Sequence, residues 1–522
     1  KEYIAELNKK EKESKRKVII ERHQSKLITK GEQHSYNGGY LFLQQLFHQL
    51  GLHKICRDIS SKYKYTFDLE AILSRLVYGR ILFPSSKLNT FDESKRLLEQ
   101  PSFELQHVYR SLEIIAKESD YIQSQLYKNS LSISKRNDRI LYYDCTNYFF
   151  EIEQEDGLKQ YGVSKEHRPN PIVEMGLFMD GDGIPLAFSI HSGNTNEQVT
   201  LKPLEKQIID DFKLSKFVVC TDAGLSSNDN RKFNDIGERS FITTQSVKKL
   251  KKHLKEWALS PEEWTHPITK EIFNISKFDK DESLYEKYKN TTFFKERWIK
   301  ENGLEQKLIV TYSLKYRGYQ RQIRCKQLER ATKLINNDPK NINKKRPNDF
   351  KRFIATTNVT DDGEIAKNLV HHVNEDAIAK EAMYDGFYAV CTNLEDDASE
   401  IAKINHRRWE IEECFRIMKS EFKARPVFLR NDDRIEAHFT TCFLALVLYR
   451  YLEKALDSKF TTNEIVTQLR DMNFYSVPEE GFMPIYTRTD FTDALHEAFG
   501  FRTDYEIVSN KEMKKIYKTT KK

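Results

Sequence analysis

Residues 139–153, RILYYDCTNYFFEIE, mark the point where the chain changes from helical to strand-forming sequence. Aromatic and β-branched residues dominate this stretch, and they favour strands, so it predicts a strand, a tight turn and a second strand. Asp144 lies inside this apolar run. An acid at such a position is either an ordinary capping group or a residue with a chemical role.

Downstream of this stretch the pattern of strands continues. IVEMGLFMD, the turn GDG at 181–183 and IPLAFSIHSG predict a β-hairpin. A helix fits from about 197 to 212, and KFVVCTD predicts a short buried strand that ends on Asp222. Phe241 to Thr244 predict one more strand, so the region is of the α/β class with a second acid at a strand end.

Upstream, apolar residues recur at helical spacing from about 38 to 131, as in YLFLQQLFHQLGL. This predicts a helical N-terminal domain. Its short helices fit a DNA-reading helix-turn-helix and equally a plain helical bundle. Residues 1–32 are polar and predict an arm or an exposed helix.

Positive charge is concentrated in one region of the chain. The whole chain of 522 residues has a formal charge of only +7. Residues 246–360 contain 27 Lys and Arg against 14 Asp and Glu, a local charge of +13. The region could follow a phosphate backbone or be a solvated Lys-rich surface. Four segments of this region are predicted to be strands: EIFNISKF, LIVTYSL, YQRQIRC and FKRFIATTN. A loop is predicted for KNINKKRPND. Outside the region, the C-terminal KEMKKIYKTTKK is predicted to be a solvated tail.

Several classes of protein are disfavoured. The seven cysteines form no CxxC pair, which favours reduced thiols over disulfides or structural zinc. The longest apolar run, CFLALVLY at 442–449, is much shorter than a membrane span, and no secretory signal is evident. We therefore expect a cytoplasmic protein that is neither exported nor membrane-embedded.

Residues 404–419, INHRRWEIEECFRIMK, combine acids and cations within a stretch predicted to be one long helix over 395–422. Asp397 and Glu400 are placed as a capping pair. On a helix, Arg408, Glu412, Arg416 and Lys419 would form one stripe. Such a stripe is either a solvated face with ion pairs or a carboxylate surrounded by cations.

Three acids from separate parts of the chain suit one kind of chemistry. Asp144 and Asp222 lie on or after strands, and Glu412 lies on the helix after a third strand, DGFYAVCTN. Carboxylates in small number suit Mg²⁺ or Mn²⁺. Two such ions, about 3.5–4 Å apart, would activate a nucleophile and stabilise a leaving oxygen at a phosphodiester, with no nucleophilic side chain needed.

Five motifs together resemble a known family. They are YYDCTNYFFE, YGVSKEHRPN, GLFMDGDGIPLAFSIHSGNTNE, TDAGLSSNDN and RWEIEECFRIMK. In this order they resemble bacterial insertion-sequence transposases of the DDE class, in the insertion-sequence-four superfamily with its Tyr-Arg-Glu-Lys signature. The resemblance covers about residues 36–455. It implies an α/β, RNase H-like mixed sheet with flanking helices, interrupted by a β-rich insertion domain, plus the helical N-terminal domain.

The implied domain organisation divides the chain into six parts. They are a polar arm (1–35), a helical N-terminal DNA-binding domain (36–135), a first catalytic part (136–245), a basic β-rich insertion domain (246–360), a second catalytic part (361–455) and a C-terminal region with a basic tail (456–522).

The resemblance also implies roles for individual residues. Asp144, Asp222 and Glu412 would be the catalytic, metal-binding triad, with Mg²⁺ or Mn²⁺ as two ions. Arg408 and Lys419 match the signature Arg and Lys, whereas the signature Tyr falls on Asn405.

Further residues are expected to contact DNA. Besides Arg408 and Lys419 they are Arg416, the loop residues Ser164, Lys165, His167 and Arg168, and an inserted tryptophan that holds a flipped base. Trp257, Trp264 and Trp298 lie in the corresponding region, and Trp298, next to Arg297, is favoured. Trp409 is expected to be packed. A surface turn and a core tryptophan are the alternatives for the loop and the insertion.

The activity implied is cut-and-paste DNA transposition in a bacterial, nucleoid-associated protein. The protein would bind the terminal inverted repeats as a homodimer, hydrolyse the ends and join 3′-hydroxyls to target DNA. Relatives with this insertion commonly cut the second strand through a DNA hairpin. The alternatives are a metal-dependent nuclease without strand transfer and a non-catalytic DNA-binding derivative.

Overall fold

The structure is a computed structural model that describes residues 3–4, 7, 11, 18–20, 22–337, 342, 349–359 and 365–522. The chain divides into two compact units. The first consists of residues 1–214 and 410–522, and the second of residues 215–409. The fold is of the mixed α/β class, as predicted. Fourteen of the 35 residues of the predicted polar arm lie outside the described residues, and all but one of these 14 come before residue 18.

The predicted helical segment at 38–131 is confirmed. After a short strand, β1 (Ser35–Asn37), come six helices. They are α1 (Tyr40–Gln49), α2 (Leu52–Lys62), α3 (Leu69–Leu82), α4 (Lys87–Ser94), α5 (Leu105–Lys117) and α6 (Ser119–Ser130). Side-chain caps fix two of the starts, because Asp68 and Ser86 accept hydrogen bonds from backbone amides three residues on.

Three antiparallel strands follow, in the order β4-β3-β2. They are β2 (Ile140–Phe149), β3 (Ile172–Asp180) and β4 (Pro185–Ser192). The tight turn predicted within residues 139–153 is wrong, because β2 is continuous from Ile140 to Phe149. Thr146 and Asn147 are buried and stay in register with Met175 and Glu174 of β3, so nothing in the ladder bends the strand.

The predicted hairpin between β3 and β4 is confirmed. Asp180 accepts hydrogen bonds from the backbone amides of Asp182 and Ile184. Gly183 has a φ of +79°, a conformation that glycine adopts at low cost. Buried Arg136 pairs with Asp180 at 2.6 Å. The predicted helix follows as α7 (Glu197–Asp211).

The second unit contains a mixed sheet. Its strands, in the order β5-β6-β13-β10-β9-β7-β8, are parallel between β5 and β6 and otherwise antiparallel. The bounds are β5 (Val218–Thr221), β6 (Ser240–Gln245), β7 (Trp264–Thr265), β8 (Ile272–Phe273), β9 (Thr292–Glu301), β10 (Leu304–Ser313) and β13 (Phe387–Thr392). A separate pair consists of β11 (Ile354–Val359) and β12 (Ile365–Val373).

Short helices surround these strands. They are α8 (Asn228–Phe233), α9 (Lys252–Leu259), α10 (Glu282–Tyr288) and α12 (Glu375–Ala382). The strands predicted at 216–222 and 241–244 are confirmed as β5 and β6, although β5 ends at Thr221, one residue before Asp222. Of EIFNISKF, only Ile272–Phe273 is a strand, and a 3₁₀ turn follows it. The loop predicted for 340–349 lies, except for Ile342 and Asp349, outside the described residues.

A long helix, α11 (Leu314–Asn337), replaces one predicted strand. YQRQIRC lies inside this helix of 24 residues, so its assignment to a strand was wrong. An aromatic residue, Tyr319, and a β-branched one, Ile323, fit a strand within these seven positions, but Leu, Lys, Arg and Gln over the longer window favour a helix. Ion pairs of Arg317 with Asp279 and of Arg324 with Asp385 hold its inner face.

The long helix predicted over 395–422 is broken. It consists of α13 (Ala398–His406), α14 (Trp409–Arg416) and a π-helical turn, Ile417–Glu421. The amides of Arg407 and Arg408 donate to carbonyls three residues back, which tightens and ends α13. Asp397 caps α13 as predicted, accepting from the Ser399 amide at 2.9 Å, whereas Glu400, its predicted capping partner, pairs with Lys403 at 2.6 Å.

The rest of the chain completes the first unit. Helix α15 (Asp432–Ala455) is buried along most of its length and packs against α1, α3 and α5. After it come α16 (Thr462–Asp471), β14 (Asn473–Val477), β15 (Gly481–Pro484), α17 (Asp490–Phe499), β16 (Val508–Ser509) and α18 (Asn510–Thr519). β1 joins these strands in the order β1-β14-β15-β16.

The solvated C-terminal tail predicted from KEMKKIYKTTKK is wrong. α18 buries Met513 and Ile516, and the Lys521 ammonium bonds the Glu99 carboxylate at 2.6 Å. Among the described helices, none is long and apolar enough to cross a membrane.

Candidate active site

Asp144 is the only residue in the interior of β2 that is not fully buried. Its Oδ1 accepts a hydrogen bond from the backbone amide of Cys145 at 2.8 Å. The neighbouring strand residues pack into the core, so the strand holds this carboxylate at a fixed place with one side accessible.

Lys165 comes to the same strand from the loop after β2. Its ammonium donates to the carbonyl oxygen of Cys145 and pairs with Glu197, at the start of α7, at 2.8 Å. Burial alone would lower the pKa of Lys165, but the hydrogen bond to Glu197 and the charge of Asp144 raise it. Lys165 therefore stays protonated beside the carboxylate.

Lys419 reaches β2 from the π-helical turn, more than two hundred residues further along the chain. Its ammonium donates to the hydroxyl of Thr146 at 2.6 Å. Thr146 lies two residues after Asp144, so the two side chains share one face of the strand. Burial, and next the nearby Lys165, lower the pKa of Lys419 to about 8. The structure thus brings together three of the predicted site residues, Asp144, Lys165 and Lys419.

Glu174 belongs to this cluster and was missed in the sequence. It lies on β3 opposite Asn147 of β2 and is buried. Burial, and next the neighbouring Glu197, raise the pKa of Glu174 to about 8. A lone acid inside the apolar strand IVEMGLFMD was the signal that could have identified it.

Asp222 follows β5 in the second unit. Its Oδ1 accepts from the Leu225 amide at 3.0 Å, and its backbone carbonyl accepts from the Thr243 hydroxyl at 3.3 Å. Asp222 is half-buried, so its carboxylate is fixed yet accessible.

Glu412 lies on α14, is exposed, and makes no ion pair with a described residue.

Arg408 is positioned by a chain of hydrogen bonds within the second unit. Its Nη1 donates to the Thr244 hydroxyl at 3.1 Å, and the Tyr388 hydroxyl lies 2.6 Å from the same oxygen. Asn405 Nδ2 donates to Tyr388 at 3.0 Å. Asn405, which occupies the position of the signature Tyr, therefore contacts the phenol of Tyr388 on β13. That phenol helps to orient Arg408 through Thr244.

The single helix assumed for the predicted stripe of Arg408, Glu412, Arg416 and Lys419 is broken. α13 ends at His406, α14 begins at Trp409, and Lys419 lies in a π-helical turn. Arg416 pairs with Glu413 on its own helix instead, with Nε 2.7 Å from a carboxylate oxygen.

The remaining predicted DNA contacts lie at the surface. His167 is exposed, and the Arg168 guanidinium lies 4.2 Å from the ring centre of Phe149.

Trp298 on β9 is 45% exposed, which leaves its ring accessible. Trp264 is fully buried and donates to the Ser260 carbonyl, so it is a core residue. Trp409, expected to be packed, is 54% exposed, so that expectation was wrong.

Trp257 is half-buried, and the guanidinium of Arg297 lies 5.2 Å from its ring centre. It lines a cavity of about 280 Å³ together with Lys270, Phe294 and Lys295. Trp257 and Trp298 are thus the two accessible inserted tryptophans.

The donor set of the three acids fits a hard divalent cation. All three offer carboxylate oxygens, the ligands that Mg²⁺ and Mn²⁺ prefer. Asp144 and Glu412 belong to the first unit and Asp222 to the second. Within the described ranges, no group of three or more His, Cys, Asp or Glu side chains is gathered closely enough to hold a metal ion.

Comparison with known proteins identifies one family. A family model described as a transposase DDE domain matches residues 149–448, more than half of the chain. Asp222 and Glu412 lie inside the matched range, and Asp144 lies five residues before it. No curated protein matches the sequence.

Among solved structures, the chain is similar to a piggyBac transposase in a synaptic complex with hairpin DNA, determined by cryo-EM. The TM-score is 0.37 and the sequence identity 10%, over 83% of this chain and 80% of that one.

Proposed function

This chain belongs to the transposase DDE domain family, and from that premise we propose that it is a cut-and-paste transposase of the bacterial insertion-sequence-four superfamily. It would bind the terminal inverted repeats of an insertion sequence as a homodimer, cleave the ends and join them to target DNA in the bacterial nucleoid. The main supporting observation is the cluster at β2, where an accessible carboxylate, Asp144, lies beside Lys165 and Lys419.

The reaction is a pair of displacements at phosphorus. In the first, a water oxygen attacks the phosphodiester, the bond to the 3′-oxygen breaks, and that oxygen takes up a proton. In the second, the freed 3′-hydroxyl attacks a phosphodiester of the target, and another 3′-hydroxyl leaves. Both steps need the same environment, so one site serves both.

The acids are assigned to metal binding. DDE transposase domains generally use divalent metal ions, and we assign Asp144, Asp222 and Glu412 as the ligands of two Mg²⁺ or Mn²⁺ ions. When bound, such ions activate water and stabilise negative charge on the leaving oxygen. The accessibility of the three carboxylates supports this assignment.

The cations are assigned to the phosphates. Lys419 and Lys165 are held beside Asp144 by hydrogen bonds, and Arg408 is oriented through Thr244 and Tyr388. Each would bind phosphate oxygens near the cleaved bond with little loss of side-chain freedom. Arg416, His167 and Arg168 are exposed and would contact the DNA more weakly.

We further propose the domain organisation that the family resemblance implies. The catalytic parts, 136–245 and 361–455, would form an RNase H-like fold, interrupted by the insertion at 246–360, with residues 36–135 as a DNA-binding domain. The exposure of Trp298 supports a role in holding a flipped base during hairpin formation.

A strand-transfer assay separates this function from its alternatives. The protein is mixed with Mg²⁺ and duplex DNA that ends in the repeats flanking its gene, together with plasmid target. We expect joined products. Cleaved but unjoined ends would instead identify a nuclease without strand transfer, and binding without cleavage a non-catalytic derivative.

A further inference from the structure

Helix α11 has two different faces. The inner face packs against the rest of the second unit, through Ala331 in a small apolar cluster and through the ion pairs of Arg317 and Arg324. Leu328, Leu334 and Ile335 are half-buried on the same side. These contacts fix the helix in place and determine which side chains point outward.

The outer face is a continuous cationic stripe. Residues spaced by three or four share one side of a helix. We define the α11 stripe as the exposed residues Lys315, Tyr319, Gln322, Lys326, Arg330 and Lys333. From Lys315 to Lys333 it extends about 27 Å at the usual helical rise. The single acid of the helix, Glu329, lies at its flank.

The four cations of the stripe make no ion pair with a described residue. This contrasts with Arg317 and Arg324 on the inner face, which have acidic partners. Lys326, Arg330 and Lys333 follow one another at spacings of four and three, and like charges at these spacings destabilise a helix. An anionic partner along the stripe would turn this repulsion into attraction.

We propose that the α11 stripe binds the phosphate backbone of duplex DNA and fixes the duplex on the second unit without reading its sequence. This inference rests on the proposed function, since it takes DNA as the substrate. A rigid row of charges about 27 Å long matches an extended polyanion and exceeds what a small anion needs. Tyr319, 58% exposed, supplies an aromatic surface between Lys315 and Lys326 that can pack against a sugar.

The test is a variant in which Lys315, Lys326, Arg330 and Lys333 are all changed to Ala. Its affinity for duplex DNA is measured over a range of salt concentrations, with and without the terminal repeats. Because each phosphate contact contributes about 0.9 to the slope of log affinity against log salt, we expect the slope to become shallower by about 3 to 4. The loss should be equal for both DNAs, because phosphate contacts do not depend on sequence.

The matched control changes four exposed lysines at the C-terminus, Lys511, Lys514, Lys518 and Lys522, to Ala. It removes the same charge from another surface helix and its end. We expect a clearly smaller change of slope than in the α11 variant. Equal changes in the two variants, or an unchanged slope in the α11 variant, would overturn the proposal. Cleavage by the unchanged protein, measured alongside, tests the proposed function separately.

A second measurement needs no substitution. Of the seven cysteines, Cys325 is exposed and the other six are buried, and Cys325 lies on α11 next to Lys326. Duplex DNA should slow the reaction of Cys325 with a maleimide at low salt. Unchanged labelling with DNA bound would contradict the proposal, as would stronger protection by duplex RNA or by an acidic polypeptide such as polyglutamate.

Discussion

Lys419 and Lys326 show two ways in which this chain uses a positive charge. The side chain of Lys419 is only 14% exposed and donates to Thr146 beside Asp144. Lys326 lies on the exposed face of α11, without an acidic partner among the described residues. A fixed, partly buried charge can stabilise one particular phosphate, whereas exposed charges add small, salt-screened contributions along a surface.

This difference determines the expected size of each effect. Substitutions at the β2 cluster should reduce the rate of cleavage, and those on α11 should reduce mainly the affinity for DNA.

The largest effect is expected at the acid itself. Asp144→Asn should lower the cleavage rate by about 1,000-fold or more, because an amide oxygen is a neutral and weaker ligand for the cation that the reaction needs. DNA binding should remain within a few-fold of the original, as a gel-shift titration would measure. The matched control is Asp210→Asn, an exposed acid on α7, which should behave as the unchanged protein. Substantial cleavage by the Asp144 variant would remove the basis of the comparison.

Lys419→Ala should have the next largest effect. It removes a fixed cation next to the carboxylate, and we expect the cleavage rate at saturating DNA to fall by about 10- to 100-fold, or about 1.4–2.7 kcal/mol. Lys326→Ala, measured in parallel, should leave that rate unchanged. If both variants lost rate equally, the two kinds of cation would not differ as we describe.

The pH dependence follows from the lowered pKa of Lys419, which is about 8 because of burial and the nearby Lys165. The lysine is protonated below this pH and loses its charge as the pH rises through it. Between pH 7 and pH 9 the contribution of Lys419 should therefore fall by about tenfold. Lys419→Arg keeps its charge throughout and should flatten the profile. The same fall in the Arg variant would assign the titration to another group.

Tyr388→Phe tests whether Arg408 depends on its hydrogen-bonded neighbours. The change removes the hydroxyl that lies between Asn405 and Thr244 but keeps the ring. We expect a fall in cleavage rate of about 3- to 10-fold, with thermal stability reduced by about 1 kcal/mol. A loss of stability with no change in rate would make this chain of hydrogen bonds purely structural.

The smallest effect is expected for a single cation of α11. Lys326→Ala should weaken DNA binding by about two- to fivefold at moderate salt, since one exposed contact contributes at most about 1 kcal/mol. The effect should vanish at high salt. A loss much larger than this, persisting at high salt, would show that α11 holds a fixed charge like that of Lys419.

The fold could be predicted from sequence where local pattern and tertiary context agree. The helices at 38–131 and the hairpin of β3 and β4 have clear periodicity and turn residues, so these predictions are confirmed. The turn predicted within residues 139–153 was wrong because pairing with β3 keeps β2 extended, and no local signal reports that pairing. YQRQIRC failed because seven residues are too few to distinguish a strand from a surface helix held by ion pairs.

The site was predictable in part. Asp144, Lys165 and Lys419 were named from motifs, and the structure brings them together. The stripe around Glu412 was wrong because it assumed an unbroken helix through Arg407 and Arg408. The contact of Asn405 with Tyr388 joins α13 to a strand, which spacing along the sequence does not reveal. Exposed cations such as those of α11 have no sequence signal beyond composition.

We propose above that Asp144, Asp222 and Glu412 hold the same metal ions. Fe²⁺ binds oxygen ligands in place of Mg²⁺ and, with ascorbate and peroxide, cuts the polypeptide next to the bound ion. In the full chain with DNA bound, we predict cuts near residues 144, 222 and 412, and the loss of all three in the Asp144→Asn variant. Cuts near only one of these positions, or cuts at 222 and 412 that persist in the variant, would contradict the claim.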